Sequence, residues 1–241
     1  MTVLYESNRA TIVLGDATDP DVIDAAPRAD LLATDPPYGV RWQSGFRTTQ
    51  FPELVGDDGA LDVPAVLGAW TRRLRAPRHV YVFGYRPDQL AEPMRLGGTT
   101  ELIWAKEQVG LGNLSIPWGI AHDRIAFGVH VPSAAERGSG KGRLAARLRQ
   151  HSLLRAPRRS GTKIDHPTEK PISLMAQLVE SSSARGELVL DPFAGSGSTL
   201  VAAILTGRRA YGVEITPEYA QLAVDRVRQA EVVADAVARF M

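Results

Sequence analysis

Asp35-Pro36-Pro37-Tyr38 closes an apolar run with a carboxylate, two prolines and an aromatic ring, a set of groups suited to acting on a planar amine. The lone pair of an exocyclic amine on a nucleobase is delocalised into the ring. Such a nitrogen attacks a methyl donor only when it is held in line and drawn towards tetrahedral geometry. A carboxylate accepting one N–H and a rigid carbonyl accepting the other would do this, and the consecutive prolines Pro36 and Pro37 fix that carbonyl and free it from ladder pairing. Asp35 and the Pro36 carbonyl suit these roles, and Tyr38 offers a flat face to an extruded base. Standing alone, the same residues read as an ordinary turn after a strand, because Asp-Pro is a common turn opener. Their place at the end of a buried parallel strand, where open α/β sheets bind ligands, weighs against that.

A second stretch, Asp191-Pro192-Phe193-Ala194-Gly195-Ser196-Gly197, ends another apolar run in a glycine turn that opens a helix. Gly-x-Gly between strand and helix lets backbone approach a ligand closely. The third glycine of a dinucleotide fingerprint is missing, since Leu200 stands in its place. Glu214 follows Gly197 by 17 residues, at the end of the next strand, where a carboxylate can accept both ribose hydroxyls. The pairing fits S-adenosylmethionine better than NAD, with Asp191 offsetting the cofactor's ammonium or sulfonium charge. A tight turn with an exposed Glu214 is the plainer alternative.

The elements that must position these groups are legible as an alternation of strands and helices. Strands are expected at 11–14, 30–34, 79–83, 101–105, 123–130, 187–190 and 210–213. Helices are expected at 20–26, 62–75, 86–96, 171–183 and 198–206, with a last one opened by Thr216-Pro217 through a hydroxyl cap and a proline. Residues 39–59 read as a long loop carrying Arg41 and Arg47. Leu144, Leu148 and Leu153 permit a short basic helix within a segment rich in Gly, Ser, Arg and Lys.

Composition narrows the chemistry. The 241 residues, 44% hydrophobic and 23% charged, suffice for one large globular domain with an insertion. The chain has no cysteine, which removes thiolate metal sites and thiol nucleophiles and disfavours methylation at cytosine ring carbon by the usual covalent route. The histidines, at 79, 122, 130, 151 and 166, lack metal-ligand spacing, so no metal is expected. No apolar run is long enough for a membrane span, and residues 1–9 lack a signal-peptide core, so a soluble, cytoplasmic protein is expected. Residues 137–163 carry nine basic side chains and no acidic one, leaving an acidic body although the net charge is +1. A charge run is often only a solvated face, but a basic stretch on an acidic body is also the footprint of a phosphate-backbone partner.

These motifs, with His166-Pro167-Thr168-Glu169-Lys170-Pro171, Gly15-Asp16 and Tyr211-Gly212-Val213-Glu214, together resemble the permuted β-class DNA amino-methyltransferases, which modify adenine N6 or cytosine N4. The acceptor loop precedes the cofactor loop, with a recognition segment between them. The resemblance implies an α/β fold: a mostly parallel, doubly wound sheet of the S-adenosylmethionine-dependent methyltransferase type, circularly permuted, with a short basic insertion. It divides the chain into a catalytic half (1–131), a target-recognition insertion (132–164) and a cofactor half (165–241).

It further implies direct methyl transfer to a flipped base in double-stranded DNA, without a covalent enzyme intermediate. Catalytic roles fall to Asp35, Pro36, Pro37 and Tyr38. The cofactor would be held by Asp16, Thr168, Lys170, Asp191, Phe193, Gly195, Ser196, Gly197, Thr199 and Glu214, with Thr168 and Lys170 beside its methionine end. Arg41, Arg47, Lys141, Arg143, Arg147, Arg149, Arg158 and Arg159 would contact DNA, by reading guanine or by holding phosphates. Aspartate at the first motif position favours adenine over cytosine. The recognition segment is short, which gives a reason for a homodimer. Rival readings are an N4-cytosine enzyme, an RNA or protein-amide methyltransferase, and a catalytically silent DNA-binding protein on the same fold.

Overall fold

A computed structural model describes residues 1–38, 59–106, 117–133, 150–157 and 169–239. The first half supplies strands β1 (Thr2–Glu6), β2 (Ala10–Leu14), β3 (Ala29–Thr34), β4 (Leu74–Phe83), β5 (Leu96–Ala105) and β6 (His122–His130), with helices α1 (Pro20–Ala25), α2 (Val63–Trp70) and α3 (Pro87–Leu90). The second supplies β7 (Leu153–Arg155), α4 (Ile172–Ser182), β8 (Leu188–Asp191), α5 (Ser198–Leu205), β9 (Arg209–Glu214) and α6 (Pro217–Ala238). Local chemistry sets the helix starts. Asp19 and Asp62 accept backbone N–H groups at the first turns of α1 and α2, each followed by a proline in that turn.

The described strands form one sheet in the order β1-β2-β9-β8-β3-β4-β6-β5-β7. From β2 to β4 all neighbours are parallel, and β6 runs antiparallel between β4 and β5. Every residue of β3 and β8 is buried, and side chains alternate between two cores. Leu31 and Ala33 face α4, α5 and α6, whereas Leu32 packs with the layer of α1, α2 and α3. Between β8 and β3 the crossovers diverge: β3 leads through α2 to β4 on one side, and β8 leads through α5 to β9 on the other. That is a topological switch point, and the crevice beyond these strand ends is where open α/β sheets bind ligands.

The register that brings Asp35 and Asp191 to the same end is pinned at the opposite one. Asp30, at the start of β3, accepts from Arg78 at 2.6 Å, Arg75 at 2.7 Å and the Leu188 amide at 2.9 Å, tying β3, β4 and β8 together. Leu32 then pairs with Leu190. A slip of one residue would turn each buried strand side chain into the other core.

Several expectations are revised. β1 and β7 extend the sheet at its two edges. β1 is held by Tyr5 and Ser7, whose hydroxyls donate to Glu231 of α6. Leu153 belongs to β7 and not to a helix, because it pairs alongside Ile103 of β5; the insertion therefore adds a strand to the sheet. The helix expected over 86–96 stops at Leu90, since Pro93 removes a backbone donor, and Leu96 already belongs to β5. Thr216 caps α6 by position, but its hydroxyl turns to Glu214 instead of to the helix. Leu144 and Leu148 and the 39–58 part of the expected loop lie outside the described residues.

The absent third glycine also has a structural answer. Leu200 of α5 packs directly on Gly212 of β9, so the close helix-strand approach is made from the strand side. A Cβ on Gly212 would stand 2.6 Å from Leu200 Cδ1 and 3.0 Å from Ala194 Cβ. Gly212→Ala should therefore destabilise the protein by about 1–3 kcal/mol through overpacking of a buried leucine, measured by urea unfolding.

Candidate active site

Four carboxylates line the C-terminal ends of four adjacent parallel strands. Asp16 follows β2, Glu214 ends β9, Asp191 ends β8 and Asp35 follows β3. The crossover connections place them side by side although they are scattered through the chain. Asp16 is exposed, in a turn where Thr18 donates to it through both amide and hydroxyl at 2.8 Å. That turn is anchored from below by the buried Trp70, whose indole N–H donates to the Ala17 carbonyl at 2.9 Å.

Glu214 is held rigidly. Its Oε2 accepts from the Gly195 amide and its Oε1 from the Thr216 amide, each at 2.8 Å. Burial raises the pKa of its carboxyl, while the amides of Thr216 and Gly195 favour the ionised form. The Thr216 hydroxyl and the Ile215 amide also donate to it, so the carboxylate is held from several sides. Asp191 lies deeper. It accepts from the Thr34 hydroxyl at 2.6 Å and the Phe193 amide at 3.1 Å, with Thr199 as a further donor. Burial nevertheless pushes its carboxyl up to about 6. Gly195 and Gly197 both have positive φ, and Gly197 opens α5. Ser196 and Thr199 are buried in this turn and Phe193 is half-buried at its mouth.

On the acceptor side, Asp35 takes two donors: the Tyr38 hydroxyl on Oδ1 and the Lys170 ammonium on Oδ2. Lys170 is buried, with Nζ 3.3 Å from the Tyr38 hydroxyl and 5.1 Å from the centre of the Phe83 ring at the end of β4. Sequence reasoning put Lys170 beside the methionine end of a cofactor; the structure pairs it with Asp35. The Tyr38 ring lies against Gly84, where a Cβ would come within 2.1 Å of it, so only glycine leaves room for the ring. Burial, then the nearby charge of Asp35, raises the Tyr38 hydroxyl well above its ordinary range, keeping it a donor. Pro36 is buried, and the Tyr85 hydroxyl reaches the Pro37 carbonyl at 3.5 Å.

Thr34, Glu169 and Arg226 were missed from sequence. Thr34 is adjacent to the motif and legible in hindsight as a hydroxyl ending a buried strand, but nothing in a helix pattern marks Arg226. Thr168, Arg41, Arg47, Lys141, Arg143, Arg147, Arg149, Arg158 and Arg159 lie outside the described residues. Among the described residues no cluster of metal-ligating side chains occurs, and no helix is long and apolar enough to cross a membrane.

Comparison with known proteins bears on the fold and the family. The solved structure of M1.HpyAVI with SAM covers 90% of this chain and 98% of its own, with TM-score 0.67 and 20% identity. PvuII DNA methyltransferase, described as cytosine-N4-specific, covers 94% of this chain and 92% of its own, with TM-score 0.60 and 14% identity. Both likenesses establish the fold. In sequence, the DNA adenine methyltransferase YhdJ of Escherichia coli (strain K12) is 44% identical over 63 residues, which is 26% of this chain and 21% of YhdJ. Matched stretches cover between 21% and 25% of the length of the curated relatives. A family model described as DNA methylase matches residues 95–225, a span that holds the glycine turn, Lys170 and Glu214 and leaves Asp35 to the geometry. With more than half of its length matched by that model, on a sheet of the same architecture, the chain belongs to the N6/N4 DNA methylase family.

Proposed function

We propose that this protein transfers a methyl group from S-adenosylmethionine to the exocyclic amine of a flipped base in double-stranded DNA, adenine N6 in preference to cytosine N4. The observation that carries the reading is the row Asp16, Glu214, Asp191, Asp35 along one sheet edge. The first two suit the nucleoside, the third a cation and the fourth an acceptor amine. The strand ends offer a row of carboxylates and a half-buried aromatic ring, which suits a cationic nucleoside better than a dinucleotide. Aspartate at the head of the acceptor motif, and YhdJ among its relatives, support adenine.

The cofactor supplies a methyl group on a sulfonium. Asp35 accepts one amine N–H and the Pro36 carbonyl the other, which localises the nitrogen lone pair. As N–C forms and C–S breaks, the electron pair stays on sulfur and the proton leaves nitrogen for Asp35, then solvent. The Lys170 and Tyr38 donors occupy one lone pair on each Asp35 oxygen, so the amine has a place without displacing them. Incubation with labelled cofactor and DNA, RNA or protein, followed by nucleoside analysis, tests this. N6-methyladenine in DNA is expected; label confined to RNA overturns the acceptor, and N4-methylcytosine overturns the base.

Asp191 predicts a pH dependence. A bound cation favours its ionised form, whereas burial holds the free protein's carboxyl up to about 6. Binding below that pH must expel a proton, so affinity should fall by up to about tenfold per pH unit from 6 towards 5 and lose this dependence above 7. Through the same group the cofactor-free protein gains stability on acidification between about 6 and 4, because its folded pKa lies above the unfolded one. Calorimetric titration in buffers of different ionisation enthalpy measures the proton released. Asp191→Asn should abolish the release.

A further inference from the structure

We infer that Arg226 is a positioning residue that ties the cofactor turn to the acceptor carboxylate, an inference that rests on the methyltransferase reading. Arg226 lies on α6, one turn beyond Ala223, and that face of the helix meets the glycine turn. Ala223 is small enough to admit Gly197, whose added Cβ would stand 3.0 Å from Ala223 Cβ. Arg226 then reaches across the turn. Its Nη1 donates to both the carbonyl and the hydroxyl of Ser196 at 2.8 Å, and its Nη2 pairs with Glu169 at 2.7 Å.

The pair is largely out of solvent, with side-chain exposures of 13% for Arg226 and 4% for Glu169. Glu169 directly precedes Lys170, the residue that grips Asp35. One guanidinium thus spans two sequence-distant segments: 194–198, which would cradle the cofactor, and 169–171, which sets the ammonium beside the acceptor carboxylate. Its planar fork makes this possible, since three acceptors at different angles are met by two nitrogens of one rigid group. A lysine would supply a single charge centre and satisfy only part of the set.

The consequence is a mechanical link between donor and acceptor. In-line transfer needs the methyl carbon and the amine nitrogen in register, and a small misplacement of either segment costs rate more than binding. Loss of the fork should therefore lower kcat while leaving KM for DNA nearly unchanged.

Amide hydrogen exchange on the full-length protein without ligand, together with steady-state kinetics, tests the inference on Arg226→Met, Arg226→Lys and Glu169→Gln. Arg226→Met should raise exchange at least tenfold in both 169–175 and 194–198, with the central strands unchanged, and lower kcat at least tenfold with KM for DNA within twofold. Arg226→Lys should recover part of both losses. Glu169→Gln, altered only at the far end of the strap, should also loosen 194–198. Loosening confined to each variant's own segment, or spread over the whole sheet, overturns the link. A wild-type protein that shows the coupled exchange but binds no S-adenosylmethionine would sink the methyl-transfer reading and leave the link standing.

Discussion

Asp35→Ala should abolish methyl transfer, lowering kcat by about 10²–10³-fold or more, while the Kd for S-adenosylmethionine stays within about twofold. The separation follows from geometry. Asp35 follows β3, and the groups that would hold the cofactor's nucleoside stand at the ends of β2 and β9, with β8 between. Two donors, Tyr38 and Lys170, converge on the carboxylate. Without it the buried ammonium of Lys170, beside Phe83 and the Tyr38 ring, loses the ion pair it makes with Asp35. Asp35→Asn is the sharper companion. It keeps the shape but offers one acceptor oxygen where two stood, so its NH2 group meets either Lys170 or Tyr38 and the negative charge that polarises the incoming amine is gone. Single-turnover transfer and calorimetric binding on the same preparation decide the matter; a variant that methylates at the wild-type rate removes Asp35 from the mechanism.

The ends of the strands were legible in the sequence because they combine two independent signals. Asp35 and Asp191 each close a run of apolar residues too short for a helix, and each is followed by residues that cannot continue a strand, Pro-Pro in one case and Pro-Phe-Ala-Gly in the other. Glu214 was found by its distance from the glycine turn. What the sequence hid is of a different kind. β1 is an edge strand that buries little, and it gains its place from hydrogen bonds to α6 that no local pattern announces. β7 is three residues long inside a basic segment whose composition argues for solvent. Lys170 was placed beside the cofactor by the family resemblance, and its ion pair with Asp35 across the switch point is a contact that no residue spacing announces. Arg226 sits in the amphipathic pattern of a long helix as one more charged residue. Its role exists only once α6 is laid under the turn, a tertiary fact with no residue spacing behind it.

Glu214→Gln should produce the opposite pattern to Asp35→Ala: affinity for S-adenosylmethionine falls by about 10²–10³-fold, as expected for losing charge-assisted bonds worth about 1.5–3 kcal/mol each. Glu214 stands at the end of β9 with one oxygen on the Gly195 amide and the other on the Thr216 amide. A carboxylate satisfies both donors and presents negative charge on each oxygen to a ribose hydroxyl. Glutamine cannot, because whichever way its amide is turned, an NH2 group meets one of the two backbone N–H groups. That buried donor is left unsatisfied, at a cost of about 1–3 kcal/mol in stability. The same rotation converts one ribose acceptor into a donor and withdraws negative charge from both. The Gly195 amide belongs to the turn that would approach the cofactor, so its displacement compounds the loss. Transfer measured at saturating cofactor should recover a substantial part of wild-type kcat, since Asp35, Lys170 and Tyr38 are untouched. Urea unfolding, binding calorimetry and cofactor-dependent kinetics together check the three parts, and wild-type affinity in a folded Glu214→Gln protein would remove Glu214 from the cofactor site.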